Sequence, residues 1–264
     1  MSRQQTFDLF FGLLGSLLLL FIILPLISIF LGTTVDSFLL ALTDPEVLNS
    51  IRLTFGAALI STALAAMTGI PLAYLLARRK FRGKWRFAKQ IVEALVNLPV
   101  IIPHTAAGVA LLLVFGRRGL LGQNLEPLGL VFTDNLGGIV VGMLFVSLPF
   151  LVNLSREAFA MVDEELERVA LTDGATPWQA FWYVTLPLAW RGVLGGALMM
   201  WARAISDFGA VVILSYHPKI VPVLVFERFQ GYGLSSAQPV AALLIVIALA
   251  VFLCLQLALQ PKKD

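Results

Sequence analysis

Charge is scarce in this chain. Of its 264 residues 13% are Asp, Glu, Lys or Arg and 59% are hydrophobic, against about 25% charged in an average soluble domain. That deficit excludes an ordinary water-solvated globule. With 19 phenylalanines the apolar content is also too high for a disordered chain. Cysteine is nearly absent: Cys254 stands alone in an apolar run, so an intrachain disulfide and a cysteine metal cluster are both excluded. The two histidines, His104 and His217, are far apart and have no Cys, Asp or Glu cluster around them in sequence, so no metal site is expected. The sequence also lacks the phosphate-cradling pattern G-x-x-x-x-G-K-[ST]; its Gly83-Lys84 pair is followed by Trp85 and sits among arginines. With no H-E-x-x-H, no G-x-S-x-G and no carboxylate dyad within an apolar run, no catalytic residue and no cofactor are expected in this chain. Work against a gradient would need energy from another subunit.

What the chain has instead is long apolar runs. A bilayer core about 30 Å thick is crossed by roughly 20 apolar residues in a helix. Five charge-free runs reach that size, at 10–31, 53–77, 94–115, 136–155 and 238–260, and a sixth span at 186–216 contains Arg191, Arg203 and Asp207. The expected fold is all-α, a polytopic membrane protein with six spans forming one transmembrane domain over 1–264. The first run is too long for a signal-peptide core and lacks a small-residue cleavage pattern, so it reads as a retained helix.

Orientation follows from lysine and arginine, because basic loops stay cytoplasmic. The connection after the second run holds Arg78, Arg79, Lys80, Arg82, Lys84, Arg86 and Lys89. Placing it inside also brings Arg3, Arg156, Arg168, Arg191, Lys262 and Lys263 inside, and leaves Arg52, Arg117, Arg118, Lys219 and Arg228 outside. Both termini are then cytoplasmic. The excess of basic residues is explained by topology and by anionic lipid, without nucleic acid.

The most informative segment, 163–187, lies on the cytoplasmic side between the fourth and fifth spans. It reads as two short helices. Asp163 can cap the first, and Glu164 and Glu165 favour its positive end, with Leu166, Val169 and Ala170 forming an apolar face. Gly174 can stop that helix in a left-handed conformation. Thr176-Pro177-Trp178-Gln179 opens the next as a capping box with proline at the first helical position, and Trp178, Phe181 and Trp182 form its apolar face. Such a hairpin needs cover for those faces. A cytoplasmic protein partner and the lipid interface, with the tryptophans as anchors, are both open at this point.

Here the chain resembles the permeases of ABC importers. Their cytoplasmic loop carries Glu-Ala-Ala, three residues, Gly, nine residues, then Ile, one residue and Leu-Pro. At the same spacing this sequence has Arg168-Val169-Ala170, Gly174, Val184 and Leu186-Pro187. It departs from the pattern at Arg168 and Val169, where the family has Glu and Ala. The resemblance implies that the segment is a coupling helix seated in a groove of an ATPase subunit, with Glu167, Arg168, Val169, Ala170, Gly174, Val184, Leu186 and Pro187 as coupling residues. Segments 97–105, 115–122 and 201–210 look like those of molybdate/tungstate permeases, with sulfate permeases next nearest. The implied assembly is a homodimer with two ATPase subunits, which bind the ATP and Mg, and an extracytoplasmic oxyanion-binding protein. The implied location is the inner membrane. By the same resemblance the outer segments 32–50 and 217–239 are candidates for docking the binding protein.

Candidate pathway residues come from polarity at membrane depth. Arg203 and Asp207 are four apart, so on one helix they share a face and can pair, either to ease a passing dianion or to fix packing. Pro99 and Pro103 break the third run and free backbone carbonyls beside Asn97, His104 and Thr105. Two rival classes stand beside the importer. A secondary transporter would need a coupling-ion carboxylate, for which Asp207 and Glu93 are the candidates, and a membrane scaffold would carry no flux.

Overall fold

Apolar runs in a membrane become helices because a helix satisfies its backbone groups within itself. The computed structural model describes residues 3–79 and 84–259, and among these every regular element is helical. Helix α1 covers Arg3–Leu31, α2 Val35–Thr43, α3 Pro45–Arg78, α4 Lys84–Ile101 and α5 His104–Phe115. The short α6, Gly122–Leu125, leads through the 3-10 turn Glu126–Leu128 to α7, Leu136–Met161. Then follow α8, Glu164–Thr172, and α9, Pro177–Ala180, which runs through a π turn at Phe181–Thr185 into α10, Leu186–Ile205. The chain ends in α11, Gly209–Leu214, α12, Val221–Tyr232, and α13, Leu234–Leu259. Lys80, Arg82, Gly83, Gln260, Lys262 and Lys263, used above for boundaries or orientation, lie outside the described residues.

Among the described residues four helices are long and apolar enough to cross a bilayer: Phe7–Leu31, Pro45–Arg78, Leu136–Met161 and Leu234–Leu255. The other two expected spans are each broken into two helices. In the third, Arg86–Ile101 and His104–Phe115 meet at 115°, so a fifth crossing is counted only if the pair is one span. The break comes at Ile102-Pro103, where the proline ring drives the preceding residue out of the helical region; Pro99, four residues earlier, is carried inside α4. In the fifth, α10 stops at Ile205 and α11 starts at Gly209, and α10 with its Arg191 and Arg203 is not among the four.

The chain divides into two compact units, Met1–Asn49 with Leu224–Leu253 and Ser50–Val223 with Cys254–Asp264. In the first, the apolar stretch of α1 has no buried residue, as suits a helix whose neighbours are lipid or another chain. Thr34 caps α2, accepting from Ser37 N, and Asp44 opens α3, accepting from Glu46 N at 2.8 Å. Arg228 of α12 donates to the other Asp44 oxygen and lies 3.4 Å from Glu46 Oε2, so the two outer docking candidates, 32–50 and 217–239, are tied together by ion pairs. Within 217–239, Val221, Val223 and Leu224 are fully buried, whereas Phe226, Phe229 and Tyr232 are exposed.

The hydrogen bond from Arg228 holds the Asp44 carboxyl below the usual carboxylate range. A carboxylate with a depressed pKa stabilises the fold above its unfolded value of about 3.9, and that contribution is lost as pH falls through the lowered value. Hydrogen exchange at α12 amides should therefore stay slow down to about pH 4 and quicken below it. In Arg228→Gln exchange at α12 should already be faster at neutral pH and should show no further loss of protection near pH 4; unchanged protection would mean the pair does not hold this segment.

In the second unit α10 lies along α7. Close approach depends on small residues, as is usual between membrane helices: a side chain at Gly196 would meet Leu154 Cβ at 3.1 Å, and one at Gly108 of α5 would meet Ala210 O at 2.9 Å. Ala73 and Leu76 of α3, Val152 and Phe159 of α7, and Ala189 and Val193 of α10 share one core cluster. Ser61 Oγ of α3 donates to Val140 O of α7 at 3.0 Å.

Candidate functional site

The hairpin follows its local chemistry closely. Asp163 caps α8, accepting from Glu165 N at 2.9 Å. Its far end is closed by Ala175 N donating to Ala170 O at 3.0 Å, with Gly174 at φ +94, a conformation that costs glycine little and L side chains much. Thr176 and Gln179 form both bonds of the capping box, at 3.3 and 2.7 Å. Because α9 passes through a π turn instead of continuing as α-helix, its aromatic residues do not share one face. Phe181 turns inward, 4.9 Å from Tyr74 and 6.0 Å from Phe159 between ring centres, whereas Trp178, Trp182 and Tyr183 are exposed at 72%, 55% and 78%. Leu166, Val169 and Leu171 of α8 are exposed as well. Exposed apolar side chains grouped in this way are a feature of interaction sites.

Among the coupling candidates, Arg168, Val169, Gly174 and Pro187 are exposed and Ala170, Val184 and Leu186 half-buried. Arg168 reaches Glu164 at 3.5 Å across one helical turn. Glu167 points inward. Its Oε1 accepts from the Tyr74 hydroxyl and from Thr185 Oγ1, the latter at 2.9 Å, and its Oε2 lies 3.3 Å from Arg78 Nε. The Arg78 and Glu167 side chains are only 9% and 12% exposed, and Arg78 Nη1 donates to Val162 O at 2.8 Å. Tyr74, Arg78 and Thr185 were not singled out in the sequence; the available hint was that Tyr74 and Arg78 stand four apart at the polar end of an apolar helix. A cleft of about 170 Å³ beside them is lined by Glu164, Leu171 and Pro177 among others.

A second cluster forms at the two helix breaks. The direct Arg203 to Asp207 pair expected from their spacing is replaced by a bridge through His104, because α10 ends at Ile205 and Asp207 lies in the break beyond it. His104 Nδ1 is 3.2 Å from Asp207 Oδ1, and Arg203 Nη2 is 2.8 Å from His104 Nε2. Since a guanidinium only donates, the consistent arrangement is Arg203 donating to Nε2 and Nδ1–H donating to Asp207. The Asp207 side chain is fully buried and His104 is 34% exposed. Gly209 is needed here: a Cβ on it would meet His104 Cβ at 2.7 Å.

The remaining pathway candidates do not join this cluster. Asn97 accepts from Asn153 Nδ2 at 2.6 Å and donates to Glu93 O at 2.8 Å. One turn back Glu93 pairs with Arg156 at 2.9 Å, so α4 and α7 face each other through a short polar ladder. Pro99 is buried packing, while Pro103 and Thr105 are exposed beside the bend.

The chain resembles known proteins over nearly all its length. It is 43% identical to a molybdate/tungstate transport system permease protein of Pyrococcus furiosus over 97% of this chain and 96% of that one. It is 31% identical to a sulfate transport system permease protein of Synechocystis over 92% of this chain and 86% of that one. Its fold matches a chain in the crystal structure of a bacterial ABC transporter involved in import of the acidic polysaccharide alginate, with a TM-score of 0.76, 16% identity, and coverage of 99% and 98%. Residues 69–261, which take in the hairpin and both helix breaks, match the family model described as the inner membrane component of binding-protein-dependent transport systems, and the chain is a member of that family, a multi-pass inner-membrane permease of the ABC transporter class.

Proposed function

We propose that this chain is the permease of an ATP-driven importer of molybdate and tungstate. It pairs with a second copy, carries two ATPase subunits on its cytoplasmic hairpins, and receives its cargo from an extracytoplasmic oxyanion-binding protein. Both termini lie in the cytoplasm, and the chain holds no nucleotide site of its own; ATP and Mg belong to the ATPase subunits. The observation that carries the substrate assignment is 43% identity over nearly the whole length to a molybdate/tungstate permease, set against 31% to a sulfate permease. Sulfate or thiosulfate import is the second reading, because the sulfate match also spans most of the chain.

The exposed rim of the hairpin, with Trp178, Tyr183, Leu166 and Val169, fills the ATPase groove. ATP draws the two ATPase subunits together, the hairpins follow, and the dimer pathway opens outward; hydrolysis resets it. The driving force is the higher affinity of ATP for the closed arrangement. At membrane depth Arg203 offers the cation for a passing dianion. Asp207, reached through His104, restrains that charge so that the ion does not lodge. An ion-coupled secondary transporter is disfavoured by the match to the inner membrane component of binding-protein-dependent transport systems, and its two candidate carboxylates face basic side chains, Asp207 meeting His104 and Glu93 meeting Arg156.

The test is ATP hydrolysis by the complex drawn from native membranes through a tag on this chain, with its binding protein and molybdate, tungstate or sulfate added in turn. Stimulation by molybdate or tungstate is expected. Stimulation by sulfate alone overturns the substrate, and absence of an associated ATPase overturns the transport reading.

A further inference from the structure

The hairpin is joined to the rest of its unit by more than its two chain ends. At Asp163 and again at Thr176 the backbone leaves helical geometry, so α8 alone would be free to swing about its flanking turns. Glu167 removes that freedom. Its carboxylate takes hydrogen bonds from Tyr74 on α3 and Thr185 in the π turn, and faces the guanidinium of Arg78, also on α3. Arg78 in turn holds the carbonyl of Val162, at the end of α7. Behind this polar knot, Tyr74, Phe159 of α7 and Phe181 pack edge to face or tilted, with ring centres 4.9 to 6.0 Å apart. Helix α3 is thus fastened to the hairpin, from 93 positions away, and to the end of α7 at one nearly dry point, where hydrogen bonds to a charged group are stronger than those between neutral groups.

We propose that Glu167 is a positioning residue that locks the cytoplasmic hairpin to the inner end of α3 through Tyr74 and Arg78, so that α3 moves with the hairpin when the ATPase subunits move. The proposal rests on the reading of the hairpin as the ATPase-docking element. It changes the role of Glu167, which serves the partner by holding the hairpin in place and leaves the contact itself to its exposed neighbours. It also gives the π turn a purpose. The extra residue in that turn brings Thr185 Oγ1 round to the carboxylate, within 3.5 Å of Ala180 O and fully buried, which fits the frequent placement of such turns at functional points in helices.

The experiment uses the full complex with its ATPase and binding protein in proteoliposomes, and compares Tyr74→Phe, which keeps the ring packing and removes only the hydroxyl, with Glu167→Gln and Glu167→Ala. Molybdate uptake and ATP hydrolysis are read in the same vesicles. Loss of one or two of these bonds is expected to lower the ions moved per ATP by about five- to thirty-fold while basal hydrolysis stays within about two-fold. An unchanged ratio in Tyr74→Phe overturns the proposal, as does a fall of hydrolysis and uptake by the same factor, which is the mark of failed assembly. A second readout does not depend on the substrate. With Cys254 replaced by Ser, spin labels at Met67→Cys on α3 and Asp173→Cys on the hairpin should give one narrow distance that persists with and without nucleotide. In Tyr74→Phe and Glu167→Ala that distribution should broaden. Equal widths overturn the lock, whereas a broadened distribution in a complex that moves no molybdate would leave the lock standing and overturn the transport reading alone.

Discussion

Gly174→Val is expected to lower oxyanion uptake to about a tenth or less while the protein still inserts and accumulates, because a left-handed residue with a side chain costs roughly 1–2 kcal/mol and a β-branched one more. Gly174 sits at φ +94 and a Cβ there would meet nothing within 4 Å, so the penalty is one of backbone conformation and not of crowding. The strain falls at the closing turn of α8, where Ala175 N reaches back to Ala170 O. Relief comes from opening that turn, which redirects α9 and with it Trp178. A graded series separates this account from a simple loss of stability. Asn, which enters the left-handed region more readily than other side chains, should retain most uptake, Ala less and Val least, at equal membrane abundance. Full uptake by a normally abundant Gly174→Val protein would remove the hairpin from the coupling path.

The hairpin was readable in advance because each of its stops is a short-range device. A cap needs a side-chain oxygen two or three residues from the amide it serves, and Asp163, Thr176 and Gln179 supply it within their own segment. The long apolar runs were readable for a similar reason: twenty charge-free residues have few alternatives in a membrane. The bend near Pro103 was legible as a break, since proline forces one on the residue before it, but its 115° angle depends on what α5 packs against, namely α11 at Gly108. Two features depend on partners far along the chain and left little trace. Glu167 meets Tyr74 from 93 positions away, and in sequence Arg78 reads simply as one more cytoplasmic positive charge. His104 enters between Arg203 and Asp207 from 99 to 103 positions away, and no spacing rule connects them. The i to i+4 pairing failed for a local reason that the sequence conceals: α10 ends between the two residues, so they never share a helical face.

Arg203→Ala should cut oxyanion uptake by about ten-fold or more without loss of assembly, and the bridge through His104 is the reason the two effects separate. When the guanidinium is removed, buried Asp207 keeps its hydrogen bond from the imidazole Nδ1–H at 3.2 Å, so the carboxylate is not left without a donor, and Ser206 Oγ keeps its bond to the Arg203 carbonyl at 2.9 Å. What is lost is the half-exposed cation, worth about a ten-fold factor for each 1.4 kcal/mol it gave the passing dianion. His104→Ala behaves differently. It takes from the fully buried Asp207 carboxylate the side-chain donor on Oδ1, while Oδ2 already has no partner, and a buried charged group left without its hydrogen bond costs more than the roughly 1–3 kcal/mol of a neutral one. That variant should therefore lose assembly, seen as reduced recovery of the ATPase with the tagged chain, as well as uptake. Arg203→Lys keeps the charge but not the planar fork, and is expected to fall between wild type and Arg203→Ala in uptake while assembling fully. If Arg203→Ala lost the ATPase as completely as His104→Ala does, the three residues would act as a structural clasp across the helix breaks, and the cation for the oxyanion would have to be sought elsewhere, with Arg156 of the α4–α7 ladder the next to replace.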